Sequence, residues 1–405
     1  MRKLAAGVIF LLCFRAWPET LNVLYMAQAG YSPQDVEQRS RLFSEKTGID
    51  VRLQFEEYEA IYSLIIAPDS AYDVILVDNI WTADFASRGI LEPVPPRIRR
   101  IIENGTIPAI YNANAYKGRV WSVPFLANFQ LLYTNMTLLR QAGYSRPPET
   151  LADLRDMAAA AKGKGIMEYP VFDSLRQEEV LVCELVWLSG LDGTEWETES
   201  GRFLVDRPEL RNAVEYLLRL KREGLLNPFS FESGETFSSE VFIWGDALFT
   251  TNWTFVIGEM ERAQGLSVRP KPFELRVSLL PVRKSGELSK TINGFQGLSV
   301  MRNSLMKDAA WDYIMFLSSA DFQRQHLEEF SVWTQVWSEG KTRAVDPYFE
   351  VKQNQVRGAL RRPVHPLYQE ISVIIQKWVY EALMEEISVD EAFRRMQSDI
   401  DGLAL

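Results

Sequence analysis

The chain has 405 residues, too many for one hydrophobic core, so two domains are expected. Its 47% hydrophobic and 24% charged residues are ordinary for a folded protein, and a net charge of -10 argues against a nucleic-acid partner, whose phosphates need basic patches. The histidines are His326 and His365 alone, so a nitrogen or sulfur metal site is not expected, and no cofactor motif is present.

Arg2 and Lys3 precede an apolar run, Leu4 to Phe14, that is shorter than the ~20 residues a bilayer span needs. It reads as a secretion signal over residues 1–18, with cleavage within Cys13 to Glu19. A lipid anchor at Cys13 is the alternative, disfavoured because Leu12 stands where a small residue is expected. In either case Cys183 has no disulfide partner in the mature chain and reads as a small buried residue within EVLVCELVWL.

Leu21 to Met26 reads as a strand, Ser32-Pro33 with Asp35 as a capped helix start, and Ile49, Val51, Leu53 and Phe55 alternate as a second strand. Strand, helix, strand is a parallel unit. A helix from Glu59 to Ile66 leads to Val74–Val77, an unbroken apolar run between Asp73 and Asp78, as in a strand covered on both faces. Asp78, Asn79 and Trp81 then fall at its carboxyl end, where open α/β sheets bind ligands, and Thr82 reads as the cap of a short helix stopped by Gly89. Pro95-Pro96 and the basic cluster Arg97, Arg99 and Arg100 read as the solvated start of a helix.

Further on, Val120–Val123 and the stretch from Pro124 to Tyr133 read as two strands. Helices are expected over Leu138–Ala142, Leu151–Lys162, Cys183–Leu188 and Leu210–Glu223, strands over Leu275–Leu280 and Leu298–Met301, and helix for nearly everything after Lys307. Leu367, Ile371, Ile374, Ile375 and Trp378 form one apolar stripe, and Ser388 with Glu391 boxes the last helix.

Eleven tryptophans invite a sugar-binding reading, since flat rings stack on the apolar faces of pyranoses. Most must be core; Trp81, Trp253, Trp333 and Trp337 stand out because polar residues flank them. Glu195, Glu197, Glu199 and the Glu56-Glu57 pair read as solvated carboxylates, because a glycosidase pair needs a set separation that loop spacing does not supply.

The ordered blocks of the chain resemble the extracellular solute-binding proteins of carbohydrate ABC importers, the group that includes maltose- and trehalose-binding proteins. FSEKTGIDV is similar to that family's first helix and second strand, and YDVILVDNIWTADFASRGILEPV to its third strand and following helix. YKGRVWSVPFLANFQLLYTNMTLLRQAGYSRPPETLADL resembles the block from its lysine-glycine turn to its next helix start, and GDALFTTNWTFV, NGFQGLSV and RPVHPLYQEIS resemble later blocks in order.

The resemblance implies an α/β fold of two lobes, each a sheet with flanking helices and discontinuous in sequence, with the ligand cleft between them. It places residues 19–126 and 276–323 in the amino-terminal lobe and 127–275 and 324–405 in the other, with crossings near Phe125–Leu131, Phe273–Val277 and Arg324–Phe330. Carried over by position, the ligand contacts are Gln28, Tyr58, Asp78, Trp81, Asn128, Trp253, Asn293, Gly294, Phe295, Gln296, Trp333 and Arg362. Asp78 and Asn293 are expected to bind hydroxyls and the tryptophans to stack.

The function implied is capture of a carbohydrate outside the cytoplasmic membrane and delivery to the permease subunits of an ABC transporter, by a monomer without cofactor or catalysis. A secreted carbohydrate-active enzyme and a ligand sensor on the same fold remain the alternatives.

Overall fold

The computed structural model describes residues 19–27, 30–193, 196, 202–264, 272–327 and 329–403. The signal segment with Cys13, and also Gln28, Glu195, Glu197 and Glu199, lie outside the described residues.

Ten strands organise the described chain: β1 (Thr20–Met26), β2 (Asp50–Glu56), β3 (Val74–Asp78), β4 (Ala115–Tyr116), β5 (Arg119–Val120), β6 (Val123–Asn135), β7 (Phe249–Trp253), β8 (Leu275–Ser278), β9 (Thr291–Val300) and β10 (Ala359–Leu360). β4 and β5 form a separate hairpin, and the main sheet runs β2-β1-β3-β9-β6-β7, with β8 on β6 and β10 on β9. β1 pairs in parallel with β2 and β3, whereas β9 runs antiparallel to both β3 and β6. The βαβ reading of the first strands thus meets a parallel pair joined by the Pro33–Thr47 helix, whose first turn is capped by the Ser32 side chain accepting from the Asp35 N–H.

Two cores divide this sheet. One gathers residues from Leu21 to Leu126, apart from Ile110 and Ala113, with Leu298 to Phe322 and Tyr368. The other gathers Ile110, Ala113, Ala127 to Phe295 and, apart from Tyr368, Phe330 to Ile400. β6 and β9 each belong to both, so the chain passes between the lobes inside continuous strands. The second crossing therefore lies within β9, between Ile292 and Leu298, and not at Phe273–Val277. β8 pairs with Leu132–Asn135, on the far side of the first crossing, and this holds residues 276–290 in the second lobe. The third passage falls between Phe322 and Phe330, one in each core.

Two local expectations also change. Pro124 does not separate two strands, because a register shift between Pro124 and Leu126 absorbs the missing N–H and β6 runs on unbroken. Thr82 lies in the first turn of the Thr82–Ser87 helix and is not its cap. The capping role falls to Asp78, whose carboxylate accepts from the Ile80 N–H at 3.2 Å and so starts the tight turn Asn79–Trp81.

Candidate functional site

β3 ends where the lobes meet, and the turn that Asp78 caps presents Trp81 to the gap between them. Trp81 stacks on Tyr58 at 5.0 Å and 28°, and Tyr62 closes on both Trp81 and Phe85, so this lobe offers a supported aromatic wall. Tyr58 and Tyr62 both come from the Tyr58–Ile66 helix. From the opposite lobe, β7 ends at Trp253, whose indole N–H donates to Glu235 at 2.6 Å. One face of that ring lies on the β9 backbone: a Cβ built on Gly294 would stand 2.4 Å from it.

The cavity between these rings has a volume of about 490 Å³, within the ~300–1,000 Å³ of small-molecule sites. Tyr58, Asp78, Trp81, Asn128, Trp253, Gly294, Gln296 and Arg362 line it, together with residues from the Glu179–Gly190 and Glu235–Ile243 helices.

Arg362 is the electrostatic centre. It is 2% exposed; its Nη2 donates to both oxygens of Asp78 at 2.8 and 3.1 Å, and its Nη1 to Glu179 at 3.0 Å. Tyr58 donates to Asp78 at 3.0 Å and Tyr368 to Glu179 at 2.7 Å. Burial opposes the charge on Arg362, but Asp78 and Glu179 outweigh it and hold the guanidinium well above its usual range. The same burial, reinforced by Asp78, pushes the Tyr58 hydroxyl well up, so it remains a donor. Asp78 belongs to the first lobe and Arg362 with Glu179 to the second, so this chain of charges bridges the lobes. The carboxylate expected to receive hydroxyls is thereby occupied by Arg362, Tyr58 and the turn it caps.

Two polar atoms of lining residues, Arg362 Nε and Gln296 Oε1, have no hydrogen-bond partner among the described residues and are covered by the protein itself. Each is a local cost of the packing around the Asp78–Arg362 pair and β9.

Three expected contacts, Asn293, Phe295 and Trp333, stand elsewhere. Gln28 is outside the described residues. β9 alternates, so Gly294 and Gln296 face the cavity while Asn293 and Phe295 point to the other face. Asn293 accepts from Asn79 at 3.1 Å and from its own strand at Phe295, fastening β9 to the end of β3; Phe295 is core at 1% exposed. Trp333 is buried in the second core, its indole N–H donating to the Ser318 carbonyl and its ring against Gly105, which makes it a plug beside the third crossing.

Glu179, Glu235, Phe237 and Cys183 line the cavity without having been singled out for it. Glu178-Glu179 precede an apolar run and read as an ordinary charged helix start; only the arrival of Arg362 from 183 residues away makes Glu179 part of a site. Cys183 is free and buried, with its thiol pushed well up by burial.

The model of the bacterial extracellular solute-binding protein family matches residues 26–324 of the chain. A probable ABC transporter-binding protein of Deinococcus radiodurans is 23% identical over 380 residues, covering 88% of this chain and 87% of that protein. Maltose-bound MalE3 of T. maritima superposes with a TM-score of 0.84 at 22% identity, over 94% of this chain and 99% of its own. A solute-binding protein of Thermotoga lettingae bound with α-D-tagatose gives a TM-score of 0.83 at 20% identity, over 95% and 99%. At these identities the structural likeness shows the two-lobed fold.

Proposed function

Because the chain belongs to the bacterial extracellular solute-binding protein family, we propose that it captures a carbohydrate in the interlobe cavity and hands it to the permease of an ABC importer. The observation that carries this reading is that aromatic rings from both lobes, Trp81 and Trp253, line one cavity together with polar side chains that include Asn128, Gln296 and Arg362. A sugar ring has apolar faces for Trp81 and Trp253 and hydroxyls that both accept and donate, so one molecule suits a wall of rings and polar side chains. The names of the relatives agree: one is a probable ABC transporter-binding protein and another was solved with maltose.

The geometry supports binding rather than catalysis. Glycoside hydrolysis needs two carboxyl groups free to act on opposite sides of one bond, whereas here the buried Asp78 and half-buried Glu179 both grip the same arginine, Glu235 accepts from the Trp253 indole and Glu178 pairs with Arg176. A ligand touching both lobes favours the closed form over the open one, and that difference is what a permease recognises. We read the protein as working outside the cytoplasmic membrane; no described helix is long and apolar enough to cross it.

A thermal-shift screen of neutral mono- to tetrasaccharides, with amino acids and polyamines as controls, tests the reading. A sugar present at ~100 times its Kd adds about 2.7 kcal/mol to stability, which raises Tm by several degrees. A shift from a control compound and from no sugar overturns it, as does the appearance of sugar cleavage products.

A further inference from the structure

One buried carboxylate outside the cavity reaches its wall through a single hydroxyl. Glu329 is 3% exposed and lies on the third passage between the lobes. Its Oε2 stands 3.2 Å from the hydroxyl of Thr254, the residue after Trp253 at the end of β7, and that hydroxyl is also 3.2 Å from the side-chain oxygen of Asn128. Asn128 is buried, lines the cavity and stands on the first crossing, paired with Gly294 of β9. The backbone just ahead of Thr254 is held in place, because Tyr133 donates to the Trp253 carbonyl at 2.7 Å. Two crossings and the end of β7 thus meet at one proton.

Thr254 has one hydrogen to donate and two acceptors within reach. Both distances exceed the ~2.5–3.0 Å of a full O–H···O bond, as expected when one proton is divided between two oxygens. If either acceptor finds another donor, Thr254 turns to the remaining one. Asn128 borders the cavity and Glu329 does not, so a ligand hydroxyl can supply that second donor only to Asn128.

We propose that Glu329 is a positioning residue that registers the ligand: a sugar hydroxyl donating to Asn128 hands the Thr254 proton to Glu329, which draws the third passage onto the second lobe. This rests on the carbohydrate reading of the cavity. A hydrogen bond to a carboxylate is stronger than one to an amide oxygen, so the handover strengthens the Thr254–Glu329 contact by more than the amide loses. Part of the ligand's affinity then resides at a residue it never touches, on the passage about which the lobes turn.

Calorimetry on the full chain with glucose, maltose and cellobiose, in the wild type and in a double-mutant cycle, tests this relay. Asn128→Ala and Glu329→Gln are each expected to weaken the tightest-binding of these sugars about tenfold, and the double variant is expected to lose no more than Asn128→Ala alone, because the relay is already cut. Thr254→Val, which removes the shared proton, shows the same pattern with Asn128→Ala. Losses that multiply in the double variants, or a lowered Tm with sugar affinity untouched in Glu329→Gln and Thr254→Val, overturn the relay and leave the carbohydrate reading standing. No response from the wild type to any of the three sugars counts against both.

Discussion

Asp173 and Glu184 converge on one hydroxyl in the second lobe. Thr251 Oγ1 lies 3.0 Å from Asp173 Oδ1 and 2.8 Å from Glu184 Oε1, and the Thr251 N–H also reaches Asp173 at 2.7 Å. The hydroxyl has one proton to give, so it cannot serve two carboxylates. Glu184, 2% exposed, is the group that keeps a proton: burial first and the Asp173 charge second lift it from an ordinary 4.5 to about 8, while burial lifts Asp173 to about 6. The native state thus holds protons that the unfolded chain releases, and stability falls as pH rises from the unfolded value of Glu184 toward its folded one. Worked through that window, the Glu184 contribution is a loss of about 3 to 4 kcal/mol between pH 5 and pH 8. Glu184→Gln keeps the shape, donates an N–H to Thr251 and has no proton to lose. Urea unfolding at pH 5 and pH 8 should show the variant gaining that amount over the wild type at the higher pH and little at the lower. An identical pH slope in both proteins, or a uniform destabilisation of the variant, would refute the proton assignment.

Other expectations follow from the cavity wall. Gly294→Ala places a methyl 2.4 Å from the Trp253 ring; displacing that ring should weaken ligand binding about tenfold, or ~1.4 kcal/mol, and unchanged calorimetric affinity would show that the ring position does not matter. Asp78→Ala leaves Arg362 buried against Glu179 alone, at a cost of about 3 to 5 kcal/mol to the closed arrangement. X-ray scattering should then report a larger radius of gyration, and an unaltered radius with unaltered affinity would remove the bridge from the closing mechanism. Trp333→Phe loses the bond to Ser318 and should lower stability by about 1 kcal/mol with ligand affinity unchanged. A tenfold weaker affinity would return Trp333 to the site.

Much of the architecture is legible because it is written locally. The apolar run Val74–Val77 is buried at every position, and Ser32 and Ser388 cap the helices they precede. What misleads is information that local pattern does not hold. INGFQG looks like a loop, with Asn and Gly side by side, yet it is the middle of β9, and strand alternation then sorts its residues into cavity and interior. Leu275–Ser278 gives no hint of which half of β6 it will join, so the lobe boundary is set by pairing alone. The site follows the same division. Trp81 and Trp253 are marked by polar neighbours at strand ends, whereas Asp78 and Arg362 form a pair 284 residues apart that no spacing could announce.

The placement of these residues also explains why binding and closure are one event. Asn128 and Gly294 are paired across β6 and β9 at the point where the sheet passes from one core to the other, and both line the cavity. The connection between lobes is thus itself a wall of the site, so a bend there changes the cavity. On the far side, the loop bearing Arg362 reaches Asp78, while Arg361 donates to the Ala115 carbonyl at 3.0 Å, both in the first lobe. These contacts are available only when the lobes have come together. They join Asp78 to Arg362 and leave Trp81 and Trp253 lining the cavity, so the protein's own bridge brings the lobes together without covering the aromatic walls. A ligand that touches the walls of both lobes adds its interaction to the closed form alone, and occupancy becomes visible from outside as a change of shape.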